Sequence, residues 1–194
     1  QLAVKAAKAA LENSGTDPKE LDFVICSTIR GDYITPSMAC IVARDLGIHC
    51  MAFDINAACS GFIYALDCAT GFFERNRAQK GLIVSAEAMS KMVNWQDRAT
   101  CVLFGDAAGA VVLEKGENLL ASKLASDGNV EVLNIPHVYG NSPFSSDENK
   151  PSYLFMDGHG VYKFAVNAMA NGLAETIAAA GLKQDEVDHV LPHQ

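Results

Sequence analysis

Cys59 is the residue whose type and setting most invite chemistry. It stands in AACSGF at 57–62, after an apolar segment closing at Asn56 and before a helix expected to begin about Ser60. A thiol at a helix N-terminus faces unpaired backbone N–H groups and the positive end of the dipole, which favours thiolate and offers donors to a developing oxyanion. A sharp strand–turn–helix presents a nucleophile in this way. The small neighbours Ala57, Ala58, Ser60 and Gly61 leave room for a substrate. Most free cysteines are instead buried small hydrophobes, and position alone weighs the two readings equally. Cys26, Cys40, Cys50, Cys68 and Cys101 lack the turn and the small flanks, so the hydrophobe reading holds for them. With no CxxC pair, the six cysteines read as reduced thiols and not as a disulfide framework.

A catalytic cysteine usually needs a histidine brought near in space, and His193 has the best setting. It closes an expected strand, and in α/β sheets ligands bind at the carboxyl ends of strands; a lone His after Pro192 is more often a loop residue. His49, His137, His159 and His189 have no comparable setting and no paired spacing, so a metal site is not expected. GDAAGA at 105–110 matches neither phosphate-loop pattern and reads as a tight turn between two strands. Arg98 could grip a phosphate or an adenine face, although a solvated surface arginine is the default.

The elements that must position these residues alternate two periods. Residues 2–14 form a helix with Leu2, Ala6, Ala9, Ala10 and Asn13 at helical spacing, stopped by Ser14-Gly15. Strands are expected at 21–28, 50–56, 81–87, 101–105 and 108–115, with helices opened by Pro36 through Leu46, after Cys59, and from about Gly160 to Ala180. Near-continuous apolar strands separated by helices argue an α/β class with a parallel or mixed sheet covered on both sides. Residues 128–152, rich in Gly, Asn, Ser and Pro, read as a loop over a site. The chain closes in VDHVLPHQ, read as a strand. Shifted by 166 positions, Gly15, Glu20, Leu21, Asp22, Val24 and Ile25 fall on Gly181, Glu186, Val187, Asp188, Val190 and Leu191, and His193 falls on Ser27. This offset points to duplication, with one half and the start of another present, so the sequence reads as cut short.

Composition sets the outer limits. The chain has 194 residues, 49% hydrophobic and 20% charged, which suits an ordinary globular protein and excludes collagen, low-complexity disorder and a coiled coil. That length can bury a core without a metal or disulfide staple. The net charge is −8 and the basic residues are scattered, so the footprint of a nucleic-acid protein is missing. No apolar run approaches the ~20 residues of a membrane helix, and the first residues carry no cleavage-site pattern. A cytoplasmic protein is expected.

At AACSGFIYALDCA, DRATCVLFGDAAGAVVLE, MDGHGVYKFAVNAM and VLPHQ, in that order, the chain resembles 3-oxoacyl-(acyl-carrier-protein) synthase III of the thiolase superfamily. The resemblance runs the whole length. It implies a duplicated α/β sandwich (layers α-β-α-β-α), incomplete at both ends here, with 1–120 as most of the first half, 121–158 as connecting strand and loop, and 159–194 as the start of the second. It implies condensation of an acyl-CoA primer with malonyl-acyl-carrier protein, initiating type II fatty-acid synthesis, by a homodimer pairing near residues 50–56. Acyl-CoA is then a substrate, and no redox or metal cofactor enters. By motif, Cys59 takes the acyl group and His193 assists malonyl decarboxylation with an Asn expected beyond Gln194. Arg98 binds CoA, Phe104, Leu154 and Met156 line the acyl and pantetheine region, and Thr35 caps the partner subunit's acyl pocket. A chain without that Asn is expected to fail at condensation. Other readings are a related condensing enzyme (type III polyketide synthase, hydroxymethylglutaryl-CoA synthase or quinolone-forming homologue), a non-catalytic fragment or degenerate subunit, or a cysteine hydrolase of thioesters.

Overall fold

The computed structural model describes residues 2–136 and 152–194. The backbone forms two bodies. The first comprises Gln1–Glu87, Asp106–Leu124 and His193–Gln194, the second Ala88–Gly105 and Ala125–Pro192.

The first body is built on β1 (Phe23–Ser27), whose five residues are all buried. Such a strand needs cover on both faces, and its alternation supplies two apolar rows. Val24 and Cys26, with Leu82 and Val84, pack against Ala3, Val4, Ala7 and Leu11 of α1 (Leu2–Ser14) and Ala39, Ile41 and Val42 of α2 (Met38–Leu46). Phe23, Ile25 and Ile83 pack on the other face against Ala65, Ala69 and Phe73 of α3 (Gly61–Glu74). The sheet order is β2-β1-β3-β4, with β2 (Met51–Ile55), β3 (Lys80–Ala88) and β4 (Asp106–Glu114). β1 pairs in parallel with both neighbours, Cys26 lying opposite Asp54 on β2 and Val84 on β3. The Asp54 carboxylate reaches off the sheet to accept the Met38 and Ala39 N–H groups at 2.7 and 2.8 Å. Together with Ser37 at the N-cap it closes the start of α2.

The 166-residue offset appears in the backbone. Gly15 and Gly181 both adopt the left-handed conformation, φ 66° and 72°, which only glycine enters without penalty. Each is followed by a single 3-10 turn, Pro18–Glu20 and Gln184–Glu186. Glu20 and Glu186 close these turns in the same way, accepting the Asp17 and Lys183 N–H groups.

In the second body Met89, Met92, Val93, Thr100 and Leu154 are buried, and the Leu154 N–H donates to the Met92 carbonyl at 2.8 Å. β5 (Leu133–Asn134) and β6 (Phe155–Met156) pair antiparallel. Asp157 then caps α4 (Gly158–Ala179), accepting the His159 N–H at 3.1 Å.

Four sequence expectations are corrected. CVLFG at 101–105 is not a strand: Val102 and Leu103 are exposed, and the Asp97 carboxylate takes the Ala99 N–H and the Thr100 hydroxyl, which holds the chain in successive turns. GDAAGA is not a turn, since residues 106–110 belong to β4. VDHVLPHQ at 187–194 is extended without a strand partner among the described residues, and Leu191 is 96% exposed. The buried stripe of α1 is Ala3, Val4, Ala7 and Leu11, while Leu2 is exposed; Leu11 and Val4 outweigh the alanines that suggested the neighbouring face. Part of the loop expected at 128–152, including His137, lies outside the described residues, and β5 begins within the remainder.

Candidate functional site

Cys59 sits where the sequence places it, in a single 3-10 turn (Ala58–Ser60) between β2 and α3. β2 ends as its Ile55 carbonyl accepts the Thr28 N–H at 3.1 Å, and the turn closes with Ser60 N–H on the Ala57 carbonyl, also 3.1 Å. Ala58, immediately before the cysteine, has φ 46°. A non-glycine residue there carries about 1–3 kcal/mol of backbone strain that its surroundings must hold. The strained turn lifts Cys59 to the surface, where it is exposed. Among the described residues no side chain caps the N-terminus of α3, and its first N–H, that of Gly61, donates to the Ala58 carbonyl of the preceding turn.

Gly61 makes this approach possible. A Cβ at position 61 would stand 2.1 Å from the Ser27 hydroxyl oxygen and 3.2 Å from its Cβ, at the carboxyl end of β1. Gly61→Ala is therefore expected to push α3 away from β1, costing about 1–2 kcal/mol of stability and slowing Cys59 alkylation on the order of tenfold. Iodoacetamide kinetics and a thermal melt on one preparation check both; unchanged alkylation would show that the close approach does not set the thiol.

The other thiols divide by environment. Burial, aided by the charges of Asp54 and Glu87, pushes the Cys26 thiol up to about 12. Burial also raises Cys50, with Asp22 and Cys40 adding to it, and raises Cys68, with Asp67 adding to it. Cys40 and Cys68 are exposed, which corrects the expectation that both are buried hydrophobes, and the Cys40 thiol donates to the Ala52 carbonyl at 3.7 Å. All six cysteines are free.

Thr35 is exposed in the loop between β1 and α2, and His193, also exposed, is grouped by the backbone with the body that carries Cys59. Arg98, Phe104, Leu154 and Met156 belong to the second body. Arg98 is exposed in the turns after Asp97, Phe104 is half-buried, Leu154 is buried, and Met156 lies in β6. Among the described residues no group of three or more His, Cys, Asp or Glu could hold a metal ion. Sequence reasoning missed Asp54, a carboxylate in an apolar strand, and Glu87, a charge following the apolar run of β3. Both break a hydrophobic pattern, and that is the signal that finds them.

A sheet whose β1 pairs in parallel with both neighbours and is covered by helices, with a cysteine on the turn into α3 and a repeated helix–glycine–turn unit, defines a thiolase-like α/β fold. The sequence model described as 3-oxoacyl-(acyl-carrier-protein) synthase III matches residues 53–128. The chain is similar to β-ketoacyl-(acyl-carrier-protein) synthase III of Clostridium acetobutylicum, 40% identical over the whole chain, and of Streptococcus pneumoniae, 43% identical. It spans 61% of the length of each of these relatives. Among solved structures, 3-oxoacyl-(acyl-carrier-protein) synthase III of Aquifex aeolicus superposes with a TM-score of 0.84 at 39% identity, over 95% of this chain and 57% of that one. The Pseudomonas aeruginosa enzyme gives 0.87 at 34% identity, over 97% and 58%. Over its whole length the chain is thus similar to the 3-oxoacyl-(acyl-carrier-protein) synthase III enzymes.

Proposed function

We propose that the protein carrying this chain initiates type II fatty-acid synthesis by condensing an acyl-CoA primer with malonyl-acyl-carrier protein. The observation that carries the reading is the strained Ala58–Ser60 turn, which exposes Cys59 at the uncapped N-terminus of α3. The thiolate attacks the acyl-CoA carbonyl, the CoA thiolate leaves, and the acyl group rests on the Cys59 sulfur as a thioester of nearly equal energy. Loss of CO2 from the malonyl thioester leaves an enolate whose oxygen needs N–H donors; His193 is assigned to that role. The enolate carbon attacks the acyl-Cys59 carbonyl, forms the new carbon–carbon bond and expels the thiolate, giving a 3-oxoacyl thioester.

In this reading Arg98 grips CoA, and Phe104, Leu154 and Met156 line the acyl and pantetheine path. Acyl-CoA is substrate, with no metal or redox cofactor. The active form is a cytoplasmic homodimer, paired along the edge strand β2. Residues 1–120 carry the nucleophile, 121–158 connect, and 159–194 open the second half. Among the described residues no helix is long and apolar enough to cross a membrane. Peptide mass mapping after incubation with a panel of acyl-CoAs tests the reading. An acyl increment on the Cys59 peptide supports it, and free acid released without carbon–carbon bond formation would make the protein a thioester hydrolase.

Thr35 is assigned to the wall of the partner subunit's acyl pocket, and a threonine there leaves volume that a phenylalanine would fill. Thr35→Phe is expected to cut acylation by medium-chain primers by roughly 10–200-fold while sparing acetyl-CoA. Competition between acetyl-CoA and octanoyl-CoA reads the change; an unaltered preference would remove Thr35 from the pocket.

A further inference from the structure

We propose that Asn56 is a positioning residue, bracing the Cys59 turn against the carboxyl end of β1 and, through Ile29, against Glu87 on β3. The inference rests on the reading of Cys59 as the acyl acceptor. Asn56 is the first residue after β2 and is exposed, so burial does not dictate its hydrogen bonds and water could serve both ends of its amide. Both ends nevertheless turn inward. Its Oδ1 accepts the Ala58 N–H at 3.2 Å, and its Nδ2 donates to the Ile29 carbonyl at 3.5 Å. One orientation of the amide serves an N–H and a carbonyl together; the flipped amide would serve neither.

The Ile29 peptide is held from its other side as well. Its N–H donates to the Glu87 Oε1 at 2.5 Å. Glu87 is half-buried at the end of β3, where desolvation raises its pKa against the opposing pull of the Ile29 N–H and the Thr28 hydroxyl. Among the described residues its Oε2 and the neighbouring Ser85 hydroxyl have no hydrogen-bond partner. A continuous path then runs from Glu87 through the Ile29 peptide and the Asn56 amide to Ala58, the residue whose φ of 46° aims Cys59. An alanine in that conformation relaxes to negative φ unless it is held. The Asn56 amide acts directly on its N–H.

Single-turnover acylation of the full-length protein by acyl-CoA tests the brace. Asn56→Ala should lower the maximal acylation rate on the order of tenfold with the half-saturating acyl-CoA concentration unchanged. Asn56→Asp, which keeps the acceptor for the Ala58 N–H, should recover most of the loss. Glu87→Gln, which keeps an acceptor for Ile29, should stay near the parent rate. The double variant Asn56→Ala/Glu87→Ala should be no slower than the worse single variant, because both cut one path. A parent-like maximal rate for Asn56→Ala, a loss confined to half-saturation, or effects that multiply would overturn the proposal. Iodoacetamide alkylation of Cys59 in the same variants needs no acyl-CoA and should fall in parallel. If acyl-CoA leaves the parent Cys59 unlabelled, the functional reading fails and the alkylation ratios still decide the brace.

Discussion

Cys59→Ala is expected to abolish acyl transfer from acyl-CoA while leaving the unfolding midpoint within about 2 °C of the parent. The substitution removes one sulfur from an exposed turn, a change whose stability cost stays within ~0.5 kcal/mol. None of the neighbouring thiols is set to take over. With its thiol pushed up to about 12, Cys26 is ionised to only roughly 1 part in 10⁴–10⁵ near neutral pH, and it is buried. Cys50 and Cys68 are raised by burial next to acidic or thiol neighbours. Cys40 lies on α2 with its thiol turned to the Ala52 carbonyl, away from any uncapped helix start. Intact-mass spectrometry with and without acyl-CoA measures the effect. A full acyl increment on the variant would move the nucleophile elsewhere and dissolve the reading of the Ala58–Ser60 turn.

The strands and helices of the first body were legible because their signals are redundant. FVICS is apolar and β-branched and buries all five residues. Gly47 and Gly15 end their helices in the left-handed conformation that their residue type announces. The 166-residue offset is carried by side chains with local duties, Glu20 and Glu186 closing equivalent turns, so it survives both in letters and in backbone. What failed were segments decided by partners distant in sequence. CVLF has the composition of a strand, yet Asp97 captures the groups around it into turns. Residues 187–194 read as a strand, but a strand exists only where a neighbour offers its backbone, and none of the described residues does. In the site, Cys59 was visible from its small flanks and the coming helix. The conformation of Ala58 was not, because alanine carries no signature of positive φ. Asn56 and Glu87 act through Ile29, 27 and 58 residues away in sequence, a separation that no local pattern reports.

The same coupling of sheet to site makes Gly81→Ala the most damaging single methyl in the first body. Gly81 on β3 is directly opposite Phe23 on β1, and a Cβ there would lie 2.0–2.4 Å from three atoms of the Phe23 ring. The ring cannot step aside. It is fully buried and packed against Phe72 and Phe73 of α3, with ring centroids 5.4 and 5.7 Å away. Accommodating the methyl therefore requires β1 and β3 to part or α3 to lift. Overpacking of this kind costs about 3 kcal/mol, which for a chain of this size lowers the unfolding midpoint by roughly 6–12 °C. Because α3 begins two residues after Cys59, the displacement also reaches the turn, and Cys59 alkylation should slow together with the loss of stability. Phe23→Leu in the Gly81→Ala background replaces the planar ring with a smaller, branched side chain and should restore part of both. A melt and an alkylation rate for the single and double variants separate the possibilities. Rescue of stability without rescue of alkylation would mean that α3 does not transmit the strain to the site, and a parent-like midpoint for Gly81→Ala alone would mean that the aromatic packing over β3 is looser than the ring positions require.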